Sequence, residues 1–287
     1  MKSPIFRVIN IVAHPSENHV PELYLNALKE IAIAKILIPL SSKSKEPKAG
    51  LIAKFELLHP DEDNDIYIGS FWMGTHYGDG TEAFDTETLE QSTGEELRKF
   101  LIHPKEYTFW YSMSKHRFVI PKALPIRSFT RYLITAFQKL RSPVEVSVTP
   151  VKSIQSVEKI INSPYVVELV ISIHYTNNDN NDGFAEAIDR EMKKSNTSTL
   201  YTKITADRGK RIDIKSNSYF GGLLRLSREN GFAKATLKDK DDNEMPSLST
   251  KEDYVDLTIQ TNELDRIQPG DISKMVDKSS EQNDQDE

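Results

Sequence analysis

The chain has 287 residues, no cysteine, and 37 basic against 43 acidic residues, a formal net charge of −6. That length suits one large domain or two modest ones with a real core, and the lack of cysteine excludes a disulfide scaffold, a thiolate zinc site, an iron–sulfur cluster and a cysteine nucleophile. The longest apolar stretch, Ile31 to Leu40, is broken by Lys35 and Pro39 and is too short to cross a bilayer, and the N-terminus lacks a signal-peptide layout, so a soluble cytoplasmic protein without a membrane partner is expected.

In chain order, Phe6 to Ala13 is rich in β-branched residues and closes at His14-Pro15, as a buried strand does. Pro21 suits the first position of a helix, with Tyr24, Ala27, Leu28, Ile31 and Ile38 on one face. Ser41 to Ala49 reads as an exposed loop. Leu51 to Leu58 and Asp65 to Met73 read as strands joined by the acidic turn Asp61 to Asn64, and Gly74 to Gly94 shows no period. Tyr107 to Met113 and His116 to Ile120 read as a strand pair turning at Ser114-Lys115.

From there helices and strands alternate. Ile126, Phe129, Leu133, Phe137 and Leu140 form the inner stripe of a helix, Val144 to Val148 is a strand, and Ser153 opens a short helix through Ile161. Strands follow over Tyr165 to Tyr175, Leu200 to Ala206 and Phe232 to Leu237, with helices over Phe184 to Lys194 and Tyr219 to Glu229, and a last strand over Tyr254 to Ile259. The fold class is α+β or α/β, with mixed β-sheets and packed helices. A strand-rich N-terminal α+β domain over 1–124 and an alternating α/β domain over 125–262 are expected, with both halves able to share a sheet. Residues 263–287, almost without apolar side chains from 267 on, read as an acidic disordered tail.

The net charge conceals segregation. Residues 115–160 hold nine basic against two acidic residues, and 190–240 hold thirteen against five, while 61–100, 161–189 and 241–287 are strongly acidic. Arg127 and Arg131 lie four apart on the outer face of the helix from Ile126, with Lys139 further along, and Lys115, Arg117 and Lys122 lie on or beside the strand that feeds it. Arg208, Lys210 and Arg211 form a basic loop ahead of Lys215, and Arg225 and Arg228 are three apart on the next helix. Helix-presented arginines and flexible lysine loops are the side chains that phosphates require. The plainer reading is that these are solvated faces balanced by the acidic loops. Asn217 or Ser216 caps the helix that carries Gly221 and Gly222, whose glycines serve either a phosphate approaching the helix N-terminus or close helix packing.

Catalytic patterns are weak. Arg98 and His103 have the Arg-x4-His spacing of HEPN-type ribonucleases, but strands follow where that motif needs helices. Glu191-x-Lys193, with Asp179 and Asp182 before it, imitates part of a metal-dependent nuclease motif on a helix rather than a strand. Asp61, Asp63 and Asp65 begin a calcium loop that Ile66 breaks, and Gly74 to Gly80 lacks the lysine of a P-loop. His76 and His174 have no acid partner visible in sequence. Phe71, Trp72, Tyr77, Phe109, Trp110 and Tyr111 either fill the core or stack bases, and core packing is the better account. No catalytic residue is assigned, and neither a metal nor a cofactor is expected.

The segments Phe6–Pro15, Phe109–Val119, Val144–Pro150 and Val167–Asn177 resemble a bacterial family catalogued only as a domain of unknown function, found in phage-defence and mobile-element neighbourhoods. The stretch 144–175 is also distantly similar to the lambdoid phage-exclusion protein A and the DNA-binding effector of the Kiwa defence system. That resemblance implies a DNA-binding, often dimeric protein without a known active site. The function expected is therefore a non-enzymatic nucleic-acid-binding protein of antiphage defence or a mobile element, largely sequence-independent, with DNA favoured over RNA. Its contacts would come from the twelve basic residues named above, Lys115 to Arg228. The alternatives are a metal-dependent nuclease effector, or a regulatory subunit that binds a partner protein of the same defence system; a homodimer fits either.

Overall fold

In the computed structural model the described residues are 3–13, 21–41, 47–60, 65–77, 83–84, 91–92, 100–140, 146–175, 183–259 and 267–281. Strand β1 (Ile5–Ala13) is apolar on both sides because both are covered: Phe6 and Val8 join one buried cluster and Ile9 and Ile11 another. Helix α1 (Pro21–Ile33) buries Tyr24, Leu28 and Ile31. It stops at Lys35, whose φ of +47° is left-handed, with the Ile36 amide bonding the Ile31 carbonyl. Ile38 therefore leaves the helical stripe on which its spacing placed it and sits in β2 (Ile38–Pro39).

β3 (Lys48–His59) and β4 (Ile66–Thr75) pair antiparallel, followed by the short β5 (Ala83–Phe84) and β6 (Gln91–Ser92). β7 (Ile102–Ser112) and β8 (Arg117–Pro121) form the expected hairpin. Helix α2 (Ile126–Lys139) buries Ile126, Phe129, Tyr132, Leu133, Ala136 and Phe137. Next come β9 (Val146–Pro150), α3 (Ile154–Ile161), β10 (Val166–His174), α4 (Gly183–Lys194), β11 (Thr199–Thr205), α5 (Ser218–Asn230) and β12 (Gly231–Lys238). β13 (Glu244–Ser249), β14 (Leu257–Thr258) and α6 (Pro269–Glu281) complete the order.

Among the described residues every strand pairing is antiparallel, and the architecture is the mixed α+β one expected. An eight-stranded sheet runs β14-β1-β8-β7-β4-β3-β2, with β9 also on β1, and a four-stranded sheet runs β11-β10-β12-β13. β9 and β14 lie end to end along the edge of β1 opposite β8. Residues beyond 125 thus complete the first sheet, and the second sheet begins only at β10.

Helices α1 and α2 cover one face of the large sheet around Phe71, Phe109 and Phe118. Helix α6 covers the other around Phe6, Trp110 and Val119. This corrects the expectation for the C-terminal segment: residues 267–281 are not a disordered tail, since Ile267, Ile272, Met275 and Val276 are buried. Burying each such side chain contributes about 1.5–3 kcal/mol, which composition alone does not reveal. The four-stranded sheet packs Leu169, Ile171, Ile173, Ala233 and Ala235 against α3 and α5. The two sheets meet where Asn10 Nδ2 on β1 donates to Asn230 Oδ1 at the end of α5, 2.9 Å away, and the Lys152 amide donates to the Arg228 carbonyl.

Candidate functional site

Because α2 turns its 126/129/133/137 stripe to the sheet, Arg127, Thr130, Arg131 and Ile134 share another side at helical spacing. That side forms one wall of a cleft of about 410 Å³. β9 supplies Val148 to Pro150, the facing ends of β10 and β12 supply His174, Gly231 and Phe232, and Lys152 with Lys251, Glu252 and Tyr254 closes the other wall. The cleft therefore lies where the two sheets join. Its lining includes Arg127, Arg131, Lys152 and Lys251 against one carboxylate, Glu252, over an apolar floor.

Each polar group is held in a defined place. Arg127 is ion-paired with Glu252 at the mouth, and that bond holds the Glu252 carboxyl below the usual carboxylate range. Arg131 Nη1 donates to the Leu40 carbonyl at 3.0 Å. Lys152 is almost fully buried; its Nζ donates to the Lys251 carbonyl at 2.9 Å and sits 4.5 Å from the centre of the Tyr254 ring. Burial pushes the Lys152 ammonium down to about 8, with Glu252 opposing. Lys251 Nζ lies 5.5 Å from the Phe232 ring centre. His174 Nδ1 is 3.0 Å from Thr199 Oγ1, and burial holds this imidazole below its ordinary value. Fixed cations beside an apolar floor suit a ligand that joins an anionic group to a planar one.

A family model described as "Domain of unknown function (DUF4747)" matches residues 3–275. The chain belongs to the DUF4747 family. No curated protein matches it. The DUF4747 match spans both sheets and all the residues of the cleft, so the cleft is part of the DUF4747 domain itself. No helix among the described residues is long and apolar enough to cross a membrane.

Of the twelve basic residues singled out in the sequence, the DUF4747 fold brings only Arg127 and Arg131 into the cleft. Lys122 lies at the end of β8, paired with Asp256, and Lys115 sits half-buried in the β7–β8 turn. Lys139 Nζ donates to the Leu37 carbonyl at the far end of α2. Arg208, Lys210 and Lys215 are exposed on the segment after β11, and Arg225 is exposed on α5. Lys210 pairs with Asp207, and Arg211 with Asp242 and the carbonyls of Lys238 and Asp239.

Two of the twelve are corrections. Arg117 and Arg228 are buried and cannot meet a phosphate. Arg117 Nη2 donates to Glu229 Oε2 at 2.8 Å and its Nη1 to Ser279 Oγ at 2.6 Å, while Arg228 Nη2 donates to the Ser279 carbonyl at 2.8 Å. The carbonyls in the last turn of α6, the negative end of that helix, also face the two guanidinium groups. The pair looked like surface cations because Glu229 is far from Arg117 in sequence, and Ser279 far from both. Conversely, Lys152 and Lys251 went unmarked because nothing local distinguishes them; only the joining of the sheets makes them wall residues.

The remaining motifs separate similarly. Arg98, Asp61, Asp63, Asp179 and Asp182 lie outside the described residues, and Glu191 on α4 is exposed and paired with Lys194. Among the described residues no group of three or more His, Asp or Glu is placed to hold a metal. Phe71, Phe109, Trp110 and Tyr111 are core and Trp72 and Tyr77 half-buried. Asn217 caps α5 by accepting from the Phe220 amide at 3.2 Å. A Cβ at Gly222 would come within 2.8 Å of the Phe184 ring, so this glycine serves close helix packing.

Proposed function

We propose that this DUF4747 protein binds nucleic acid through the cleft between its two sheets, with little dependence on sequence and with DNA as the favoured polymer. The observation that carries the reading is the charge of the lining: Arg127, Arg131 and Lys251, with the buried Lys152 adding its charge to the wall, face one carboxylate in a concave, partly apolar site. Cations clustered in a cleft focus the local potential and raise the association rate of a polyanion. Arginine adds bidentate geometry toward phosphate. No element is placed as a reading helix in this proposal, so the contacts fall on phosphates and not on base edges. A setting in antiphage defence or a mobile element is part of the proposal, supported by the sequence resemblance alone.

The test compares a cleft variant, Arg127→Glu/Arg131→Glu, with a loop variant, Arg208→Glu/Lys210→Glu. Binding to a fluorescein-labelled DNA oligonucleotide is followed by anisotropy at low salt. The cleft variant is expected to lose roughly tenfold or more in affinity, and the loop variant less than about threefold. Loss confined to the loop variant would overturn the reading.

A further inference from the structure

Among the described residues, the helices packed against the four-stranded sheet lie on one face. Its other face carries every second residue of β10, β11 and β12, and register fixes their neighbours. Tyr201 lies opposite Ser172, and Ser172 opposite Phe232. The next row along the strands is Lys203, Val170 and Lys234. Rows in a sheet are about 7 Å apart, and residues two strands apart about 10 Å. Tyr201 is 63% exposed, an unusual position for a large ring on a strand centre, while Phe232 is half-buried. Lys203 pairs with Glu168 on this face, and Lys234 is exposed.

This face runs into the cleft. Phe232 belongs to both, with Lys251 over its ring, and His174 follows Ser172 on the same side of β10. An exposed ring and a half-buried one, separated by a small side chain and with lysines one row away, offer planar surfaces to unpaired bases and cations to the backbone that links them. A duplex presents no free base faces to such rings. A cleft of about 410 Å³ has the capacity of a small-ligand pocket.

We infer that the open sheet face and the cleft form one track for single-stranded nucleic acid, in which Tyr201 and Phe232 stack bases while Lys234, Lys251, Arg127 and Arg131 hold phosphates. The inference rests on the nucleic-acid reading above and narrows it to unpaired strands. It also moves the stacking role from the N-terminal aromatics, which are largely core, to two rings that sequence patterning did not mark.

Anisotropy with a labelled mixed-sequence strand of about 20 nucleotides, and with the same strand annealed to its complement, separates the two levels. The parent chain is expected to bind the single strand more tightly than the duplex. Tyr201→Ala is expected to weaken single-strand binding about tenfold and duplex binding less than about twofold, with Tyr201→Phe restoring it. Because Tyr201 is exposed, its replacement leaves the core intact, and an unchanged thermal unfolding curve verifies this. If Tyr201→Ala binds the single strand like the parent, or if the duplex binds as tightly, the track is overturned while a loss in Arg127→Glu/Arg131→Glu still supports the cleft. If neither polymer binds at low salt, both readings fall.

Discussion

Lys152 shows how one residue links the fold to the chemistry of the cleft. Its backbone carbonyl accepts from Arg228 Nε, its Nζ reaches the Lys251 carbonyl, and its ammonium is pushed down to about 8 by burial. The unfolded chain keeps that proton up to the ordinary lysine value of 10.5. Between these values the unfolded state binds more protons, so this residue makes the folded state relatively more stable as pH rises. Lys152→Met, of similar length and without the proton, lacks that contribution. The stability of the variant minus that of the parent is therefore expected to fall as pH rises from about 7 to about 10, read by urea denaturation. A difference that stays constant across that range would contradict the burial described for Lys152. At this scale the sequence was a partial guide: basic residue types were visible, but which of them are surface, core or cleft wall depends on partners such as Glu229, Ser279 and Tyr254 that lie far along the chain.

At the scale of elements, strong periodicity was readable and weak periodicity was not. β1, α2 and α5 carry apolar residues at clear spacings, and each forms close to its expected bounds; the β7–β8 hairpin turns where expected, but β7 begins at Ile102, five residues ahead of Tyr107. β13 went unread because Met245 and Leu248 are its only large apolar residues, as befits an edge strand. Ile38 matched the stripe of α1 by spacing, but the left-handed residue Lys35 ends that helix first. Helix α6 was obscured by its acidic setting, although Ile272, Met275 and Val276 fall on one face. Its role also alters what truncation should do. A chain ending before Ile267 would expose Phe6, Trp110 and Val119 and leave Arg117 and Arg228 without the α6 groups that meet them. Losing several buried side chains at about 1.5–3 kcal/mol each consumes much of a typical 5–15 kcal/mol margin. Such a truncation is expected to lower the thermal midpoint by well over 10 °C or to yield aggregated protein. A truncated chain with the parent's midpoint and stronger DNA binding would instead favour a detachable, autoinhibitory tail.

At the scale of the whole molecule, the basic segments 115–160 and 190–240 do not both send their basic side chains into the cleft. The first contributes Arg127, Arg131 and Lys152 to the cleft, whereas Arg208, Lys210, Lys215 and Arg225 of the second are not among its lining residues. The second segment contributes differently, through Lys203 and Lys234 on the open sheet face and Phe232 at the cleft wall. The assembly of a cationic cleft from α2, the link between β9 and α3 and the segment before β14 follows from β9 and β14 sharing one edge of β1, a pairing that no local pattern encodes. Salt dependence counts the phosphates that these cleft residues are proposed to neutralise. For single strands each neutralised phosphate contributes about −0.7 to the slope of log Kobs against log salt concentration. Measured by anisotropy from low to physiological salt, Arg127→Ala/Arg131→Ala is expected to make the parent's slope shallower by roughly 1.4, two contacts' worth. An identical slope in parent and variant would contradict a phosphate-binding cleft.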